Sequence, residues 1–225
     1  MTAAELRAVR REEVAGRWRA LRSRLDAITR DWSHDVGVVA VTKGFDGSAI
    51  DAACAVGLDV IGENYAQQIL AKRDAIERLR PDVHFIGHLQ SNKVRQLTDL
   101  VTVWGTLDRN SVVDEVAKRC SGARVRLQVN TTGEAQKAGV APDRLPALLD
   151  RANERGLVVE GLMTVGPTDA APDAARAAFV RLRSLVDELG LEVCSMGMTH
   201  DMDVAVEEGS TEIRVGTALF GPRPG

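Results

Sequence analysis

The chain has 225 residues, 44% hydrophobic and 27% charged, which is sufficient for one large domain with a substantial core. The formal net charge of -3 provides no field favouring nucleic acid or an anionic membrane as a partner. No apolar run reaches the roughly 18 residues that span a bilayer, and the first residues lack the apolar segment of a signal peptide. Cys54, Cys120 and Cys194 are widely spaced, so we predict reduced core thiols in a cytoplasmic protein.

The first predicted element is an amphipathic helix over residues 5 to about 31. Its apolar residues alternate at four- and three-residue spacing: Val14, Trp18, Leu21, Leu25 and Ile28. Such a stripe needs an apolar surface to cover it. We therefore expect an N-terminal helical segment, residues 1–32, to pack on a larger body formed by the rest of the chain.

From residue 38 onward, short β-branched runs alternate with longer stretches of helical period. The predicted strands are 38–42, 59–62, 83–87, 100–105, 124–130, 158–164, 192–196 and 212–217. Strands that alternate with helices pair in parallel through right-handed crossovers, and eight of them predict a closed α/β barrel of the (β/α)8, or TIM, type. An open doubly wound sheet is the alternative, against which the count of eight weighs. Because no linker divides the chain, we predict a single domain over 1–225.

A lysine follows the first predicted strand directly. Lys43 stands at the C-terminal end of that strand, on the face where barrels of this type carry their active sites. An ammonium group that points into a closed barrel loses hydration, which favours the neutral, nucleophilic amine. Such an amine forms a Schiff base with a carbonyl substrate or with pyridoxal phosphate. The alternative is a lysine that extends into solvent, but polar residues gather at seven strand ends, which favours a functional role.

Glycine and threonine residues mark the ends of the seventh and eighth predicted strands. The residues are Gly197, Met198 and Thr199 after the seventh strand, and Gly216 and Thr217 at the end of the eighth. Loops at these two positions commonly bind phosphate in such barrels, since glycine lets backbone N–H groups approach an anion and hydroxyls add donors. A helical stretch over 202–208 follows the first of these turns, which adds a helix N-terminus. The alternative is that the glycines only serve tight turns.

Arg214 shares one side of the eighth predicted strand with Gly216, and closure of the barrel would place it beside the strand of Lys43. A buried arginine needs an acceptor, for which the candidates are a cofactor's pyridine nitrogen, Glu212 and a substrate carboxylate. Because arginine stays protonated, it would keep a pyridine nitrogen unprotonated and limit carbanion chemistry. The histidines are weaker candidates: His84, His88 and His200. No spacing of His, Asp or Glu predicts a metal site.

Several segments resemble the pyridoxal phosphate homeostasis protein family, which is related to the N-terminal barrel of alanine racemase. In chain order they are AVTK at 40–43, GENYAQ at 62–67, HFIGHLQSNK at 84–93, QVN at 128–130, GLMT at 161–164, SMGMT at 195–199, GST at 209–211 and RVGTALFG at 214–221. The third and the last segments are the most specific. The turn at 44–46 departs from the family's usual pattern, as do Val83 and Thr199.

The resemblance implies a single barrel in which Lys43 is the internal aldimine lysine for pyridoxal 5'-phosphate (PLP). It also implies phosphate contacts from Thr199, Gly216 and Thr217, with Arg214 near the pyridine nitrogen. Asn64 and Met163 would line the cofactor pocket.

The resemblance further implies a cytoplasmic PLP-binding protein of vitamin B6 homeostasis, which holds the cofactor without turnover and supplies it to PLP-dependent apo-enzymes. We expect a monomer or weak dimer. A weak racemase is the alternative, but a two-base racemase needs a second acid or base, commonly a tyrosine, and the sequence has one tyrosine, Tyr65. A class I aldolase, whose lysine attacks a phosphorylated sugar directly, is a third hypothesis.

Overall fold

The computed structural model describes residues 10–168 and 172–222, and its centre is a closed barrel of eight parallel strands in chain order. The strands are β1 (Gly37–Val41), β2 (Val60–Glu63), β3 (Asp82–Phe85), β4 (Val103–Leu107), β5 (Arg124–Gln128), β6 (Val158–Met163), β7 (Val193–Ser195) and β8 (Glu212–Val215). Strand β8 closes the barrel by pairing with β1. The prediction of a (β/α)8 barrel is confirmed, whereas the single domain over 1–225 stays a prediction.

Helices surround the barrel and fill the connections. In the described ranges they are α1 (Arg11–Asp26), α2 (Ser48–Cys54), α3 (Ala66–Ala71), α4 (Arg73–Leu79), α5 (Ser91–Val94), α6 (Asn110–Arg119), α7 (Leu145–Glu154), α8 (Pro172–Glu188), α9 (Met202–Glu207) and α10 (Thr217–Phe220). Within those ranges no helix combines the length and apolar character that crossing a bilayer requires.

The N-terminal helix lies against helices that surround the barrel, and it ends earlier than the apolar pattern predicts. Helix α1 buries Val14, Leu21 and Leu25, and it lies against α2 and α10. Residues 5–9 of the predicted helix lie outside the described residues. Beyond α1, the Trp32 Nε1 group donates to the backbone oxygen of Glu207 at 2.9 Å, so contacts with α9 rather than helical geometry hold this segment.

The predicted strand at 100–105 differs most from the observed one. Leu100 and Val101 are buried, but they lie in a turn before β4, which begins at Val103. Both residues belong to the hydrophobic core without being part of the sheet. The apolar run therefore predicts the burial of these residues correctly, but it predicts a start of β4 that is too early.

The cysteines are free thiols, as predicted, although they are not equally buried. Cys194 is buried in the core on β7, while Cys54 and Cys120 are partly exposed. Burial raises the pKa of Cys194 to about 12, so this thiol stays protonated at neutral pH.

Candidate functional site

A cavity of about 350 Å³ opens where the C-terminal ends of the strands meet. Its volume lies within the roughly 300–1,000 Å³ that small-molecule sites occupy. Eight of the nine predicted site residues line it: Lys43, Asn64, Met163, Met198, Thr199, Arg214, Gly216 and Thr217. Gly197 is buried in the adjoining turn. The sequence interpretation did not assign five further lining residues to a cofactor pocket: Val41, Phe45, Ile86, Val165 and His200.

Lys43 lies just beyond the regular part of β1. The last ladder hydrogen bond of this strand runs from Thr42 N to the backbone oxygen of Gly62, at 3.1 Å. The Lys43 side chain lines the cavity but is partly exposed. Val41, two residues earlier, is buried and also lines the cavity, so Lys43 stands further out, at the mouth, and the desolvation of its amine stays a prediction.

The turn after Lys43 forms one wall of the cavity. Gly44 has a φ of 85°, a left-handed conformation that favours glycine. Phe45 is buried and packs against Phe220, with ring centroids 5.4 Å apart. Asp46 Oδ1 accepts hydrogen bonds from the backbone N–H and hydroxyl of Ser48, at 2.9 and 2.5 Å. The unusual residues at 44–46 thus build an ordered, apolar edge.

Arg214 is buried, and its guanidinium is bonded to protein acceptors. Its NH1 group donates to Ser195 O and Ser195 Oγ, both at 2.8 Å, and its NH2 group donates to Thr164 O at 2.6 Å. Of the candidate acceptors, Glu212 is reached only indirectly, since Ser195 Oγ donates to Glu212 Oε1 at 2.7 Å. The three bonds use three of the five guanidinium donors, which leaves two for a ligand.

A chain of buried polar groups continues from Arg214 towards the N-terminal end of the barrel. Glu212 forms an ion pair with Arg126, and the side chains of both are at most 10% exposed. The NH1 group of Arg126 lies 3.4 Å from His84 Nδ1, and His84 Nε2 lies 3.4 Å from Asp82 Oδ2. Burial lowers the pKa of Arg214, while the nearby Glu212 carboxylate opposes this shift. His84 is thus a buried part of this chain and does not reach the cavity.

Asn64 reaches the cavity through a close crossing of two backbones. A Cβ atom at Gly87 would lie 2.0 Å from Asn64 O, so only glycine at this position lets the end of β3 approach the end of β2. Asn64 Oδ1 is buried and has no hydrogen-bond partner among the described residues. Because an unpaired buried polar atom is costly, this amide is suited to a ligand that lies in the cavity.

The turn at 197–199 packs tightly onto α9. Gly197 has a φ of 92°, and a Cβ atom there would lie 2.5 Å from Ala205 Cβ. The backbone N–H of Met198 donates to Asp201 Oδ1 at 2.6 Å, so this donor is already used within the turn. The hydroxyl groups of Thr199 and of Thr217, the first residue of α10, are the polar side chains on this side of the cavity.

The charges of the cavity favour an anion. Lys43 and Arg214 are the basic side chains of its lining, the exposed imidazole of His200 also lines it, and no carboxylate is found among the lining residues that the structure describes. Residues 10–168 and 172–222 contain no group of three or more His, Cys, Asp or Glu side chains placed to hold a metal ion. His88 is exposed and lines a neighbouring cavity together with Tyr65.

The closed parallel barrel with a lysine at the mouth, beyond its first strand, defines a structural class. The family model for the alanine racemase N-terminal domain matches residues 17–224. Among solved structures, PipY from Synechococcus elongatus PCC7942 with PLP bound is similar with a TM-score of 0.79 and 30% identity, covering 92% of this chain and 100% of that one. The same protein without PLP gives a TM-score of 0.82 at 31% identity, with the same coverage.

Two relatives identify the family within this class to which the chain belongs. The pyridoxal phosphate homeostasis protein of Pseudomonas aeruginosa is 41% identical over 195 residues, covering 84% of this chain and 85% of that protein. The protein of the same name from Aquifex aeolicus is 43% identical over 178 residues, covering 74% and 78%. The chain therefore belongs to the pyridoxal phosphate homeostasis protein family, within the alanine racemase N-terminal domain class.

Proposed function

We propose that this protein binds PLP at the mouth of the barrel, holds it covalently on Lys43, and serves vitamin B6 homeostasis. One observation carries the proposal: an amine and a guanidinium share a cavity whose described lining contains two threonine hydroxyls and no carboxylate. This set suits an anionic ligand that also carries an electrophilic carbonyl.

The residues of the cavity fit the cofactor. When bound, PLP supplies an aldehyde that condenses reversibly with an amine, and an anionic phosphate. Lys43 provides the amine, while Thr199, Gly216 and Thr217 bind the phosphate. The donors of Arg214 that remain free point to the pyridine nitrogen as their acceptor, and the unpaired amide oxygen of Asn64 offers a further polar contact. Met163 provides an apolar surface for the ring.

We assign storage and delivery rather than turnover to this site. A two-base racemase needs a second acid or base, and the only other titratable side chain in the described lining is the exposed His200. Tyr65 is 53% exposed and lines the neighbouring cavity. Arg214 donates to the pyridine nitrogen and keeps it unprotonated, which weakens the electron sink that amino-acid chemistry requires. Apo forms of PLP-dependent enzymes are the proposed recipients, and a cytoplasmic monomer or weak dimer is the proposed state.

Borohydride reduction tests the covalent attachment. The protein saturated with PLP is reduced, digested and mapped by mass spectrometry, with Lys43→Ala as the control. We expect one modified peptide, containing residue 43, and loss of the cofactor's visible absorption band in the variant. An unmodified Lys43 in saturated protein contradicts the proposal.

Proton exchange separates a carrier from an enzyme. The loaded protein is incubated with single enantiomers of amino acids in deuterated water, and deuterium at Cα is measured over many turnovers. We expect no exchange beyond the rate without protein. Repeated exchange would show a racemase-like activity, and a colourless protein that cleaves phosphorylated sugars would show an aldolase.

A further inference from the structure

Lys43 lies one residue beyond the last regular ladder bond of β1, where the chain begins to turn. The strand ladder ends at Thr42 N, and the next residues turn through Gly44, whose left-handed backbone is intrinsically permissive. A side chain that must form a covalent bond at one point in a cavity needs a fixed origin, since small displacements of a reacting group lower its effective concentration strongly. Within the turn, Phe45 N donates to Thr42 O at 3.1 Å, and side chains from outside the turn add to this single bond.

Helix α3 supplies side chains to both of these peptide groups. Gln68 Oε1 accepts a hydrogen bond from Gly44 N at 2.9 Å, which fixes the peptide group after Lys43. Lys72 Nζ donates to Thr42 O at 2.7 Å, which fixes the peptide group before Lys43. Gln68 and Lys72 are four residues apart, so they lie on one side of the helix and its C-terminal cap.

The Lys72 contact is part of a closed ion-pair cluster outside the barrel wall. The side chains of Lys72 and Glu63 form an ion pair, and both are fully buried. Thr42 Oγ1 donates to Glu63 Oε1 at 2.6 Å and lies 3.4 Å from Lys72 Nζ. The three donors of the ammonium are thus directed to Glu63 and to the backbone and hydroxyl oxygens of Thr42.

The chemistry of this cluster is unusual for a purely structural role. Burial lowers the pKa of Lys72, although Glu63 opposes the shift, so the pair is desolvated at a cost. Apolar side chains of similar volume commonly stabilise such a position as well as a buried ion pair does. Apolar side chains, however, cannot donate to Thr42 O or accept from Gly44 N. These two backbone groups flank Lys43.

We propose that Lys72 and Gln68 are positioning residues, which hold the two peptide groups flanking Lys43 and so direct its amine into the cavity. The inference rests on the proposed attachment of PLP to Lys43. Glu63 acts with them, because it orients the Lys72 ammonium and the Thr42 hydroxyl.

Gln68→Leu tests the inference with little change in volume. It leaves Gly44 N–H without its acceptor, and we expect hydrogen exchange at this amide, measured by NMR in cofactor-free protein, to accelerate about tenfold. We expect PLP affinity to fall about tenfold as well, together with a shift in the pH midpoint of the Lys43-bound absorption band. Gln68→Glu keeps an oxygen acceptor and should restore most of the affinity.

Gln128→Leu is the matched control. Gln128 is buried and its Nε2 group donates to Ala138 O at 3.2 Å, a backbone group of another loop, and Gln128 does not line the cavity. This variant should lose unfolding stability to a similar extent but keep wild-type PLP affinity, Gly44 exchange and spectrum. A second test variant, Lys72→Met combined with Glu63→Gln, removes the ion pair without leaving a buried charge and should weaken PLP binding about tenfold.

The outcomes separate this inference from the proposed function. If wild-type protein carries PLP on Lys43 and Gln68→Leu binds it with unchanged affinity and spectrum, the positioning role is wrong and the proposed function stands. If Gln128→Leu changes PLP binding as much as Gln68→Leu does, the effect is general loss of stability and the positioning role is again wrong. If wild-type protein carries no PLP on Lys43, both proposals fail.

Discussion

Lys43 and Arg214 belong to neighbouring strand ends and line the same cavity, but the protein holds them in opposite ways. Strands β1 and β8 are paired, with Val39 opposite Arg214. The Arg214 side chain is buried and bonded to Ser195 and Thr164 inside the barrel. The Lys43 side chain is partly exposed, and the fixed parts are the peptide groups on either side of it.

This difference fits the roles proposed for the two groups. A guanidinium that sets the protonation of a bound ring works best with a rigid side chain and an unchanging charge. An amine that bonds and releases a cofactor needs freedom at its tip and a fixed base. The buried ion pairs differ accordingly: Glu212 and Arg126 support a side chain from within the barrel, while Glu63 and Lys72 support a backbone from outside it.

The largest expected contrast is in stability. Arg214→Met leaves the acceptors at Ser195 and Thr164 without donors, and we expect it to lower the free energy of unfolding by about 3–5 kcal/mol. Lys43→Met changes a partly exposed side chain and should lower it by at most about 1 kcal/mol. Urea denaturation of the cofactor-free variants measures both values. Equal losses would mean that the two residues are held alike.

Removal of the Ser195 hydroxyl, which links Arg214 to Glu212, should have a smaller effect on the free energy of unfolding. Ser195→Ala removes this link, so we expect a loss of about 1–3 kcal/mol and a shifted absorption band of the bound cofactor. Ser210→Ala is the matched control, because Ser210 is equally buried but donates to backbone oxygens, such as Met196 O at 2.8 Å. The control should lose stability without a spectral change. A spectral shift in both variants would argue against a specific link.

The smallest effect concerns the far end of the same polar chain, and it depends on pH. The His84 ring, whose Nε2 lies 3.4 Å from Asp82 Oδ2, and a hydrogen bond from Thr102 hold the pKa of Asp82 well below its usual range, although burial opposes this. A lowered folded-state pKa means that the contribution to stability is present above the unfolded value, about 3.9, and is lost as pH falls through the folded value. Denaturation at a series of pH values measures the free energy of unfolding. As the pH falls into the acid range, we expect this free energy to decrease less steeply for Asp82→Asn than for the wild type. Parallel curves would contradict this role.

The barrel was predictable because its pattern repeats. Eight apolar runs separated by helical periods leave few topologies, and the glycine and threonine residues after β7 and β8 stand where such barrels gather polar groups. The first and last residues of the strands were harder to predict, as Leu100 and Val101 show. A buried turn has the same apolar sequence pattern as a buried strand. Residues at the mouth, such as Lys43, Thr199 and Thr217, were predictable because glycine and polar residues mark the region after a strand even where the strand limits shift by a few residues.

The burial of two charged residues, Lys72 and Arg126, was not predictable in the same way. Lys72 follows a short helix and resembles an ordinary surface lysine in sequence, while Arg126 alternates within β5 like an outward-facing residue. Their burial depends on partners in other elements, Glu63 at the end of β2 for Lys72 and Glu212 on β8 for Arg126. A pattern along one segment carries no information on such pairing. The only sequence signal was the four-residue spacing of Gln68 and Lys72 behind the GENYAQ segment.

The pairing of the first strand with the last has a consequence for biosynthesis. Lys43 leaves the ribosome early, whereas Arg214 and Thr217 emerge only with the final strand and α10. A nascent chain therefore carries the reactive amine long before it has the groups that surround it. Under the proposed attachment of PLP to Lys43, loading of the cofactor follows completion of the last strand and of α10, because the groups that would surround the bound cofactor are made last.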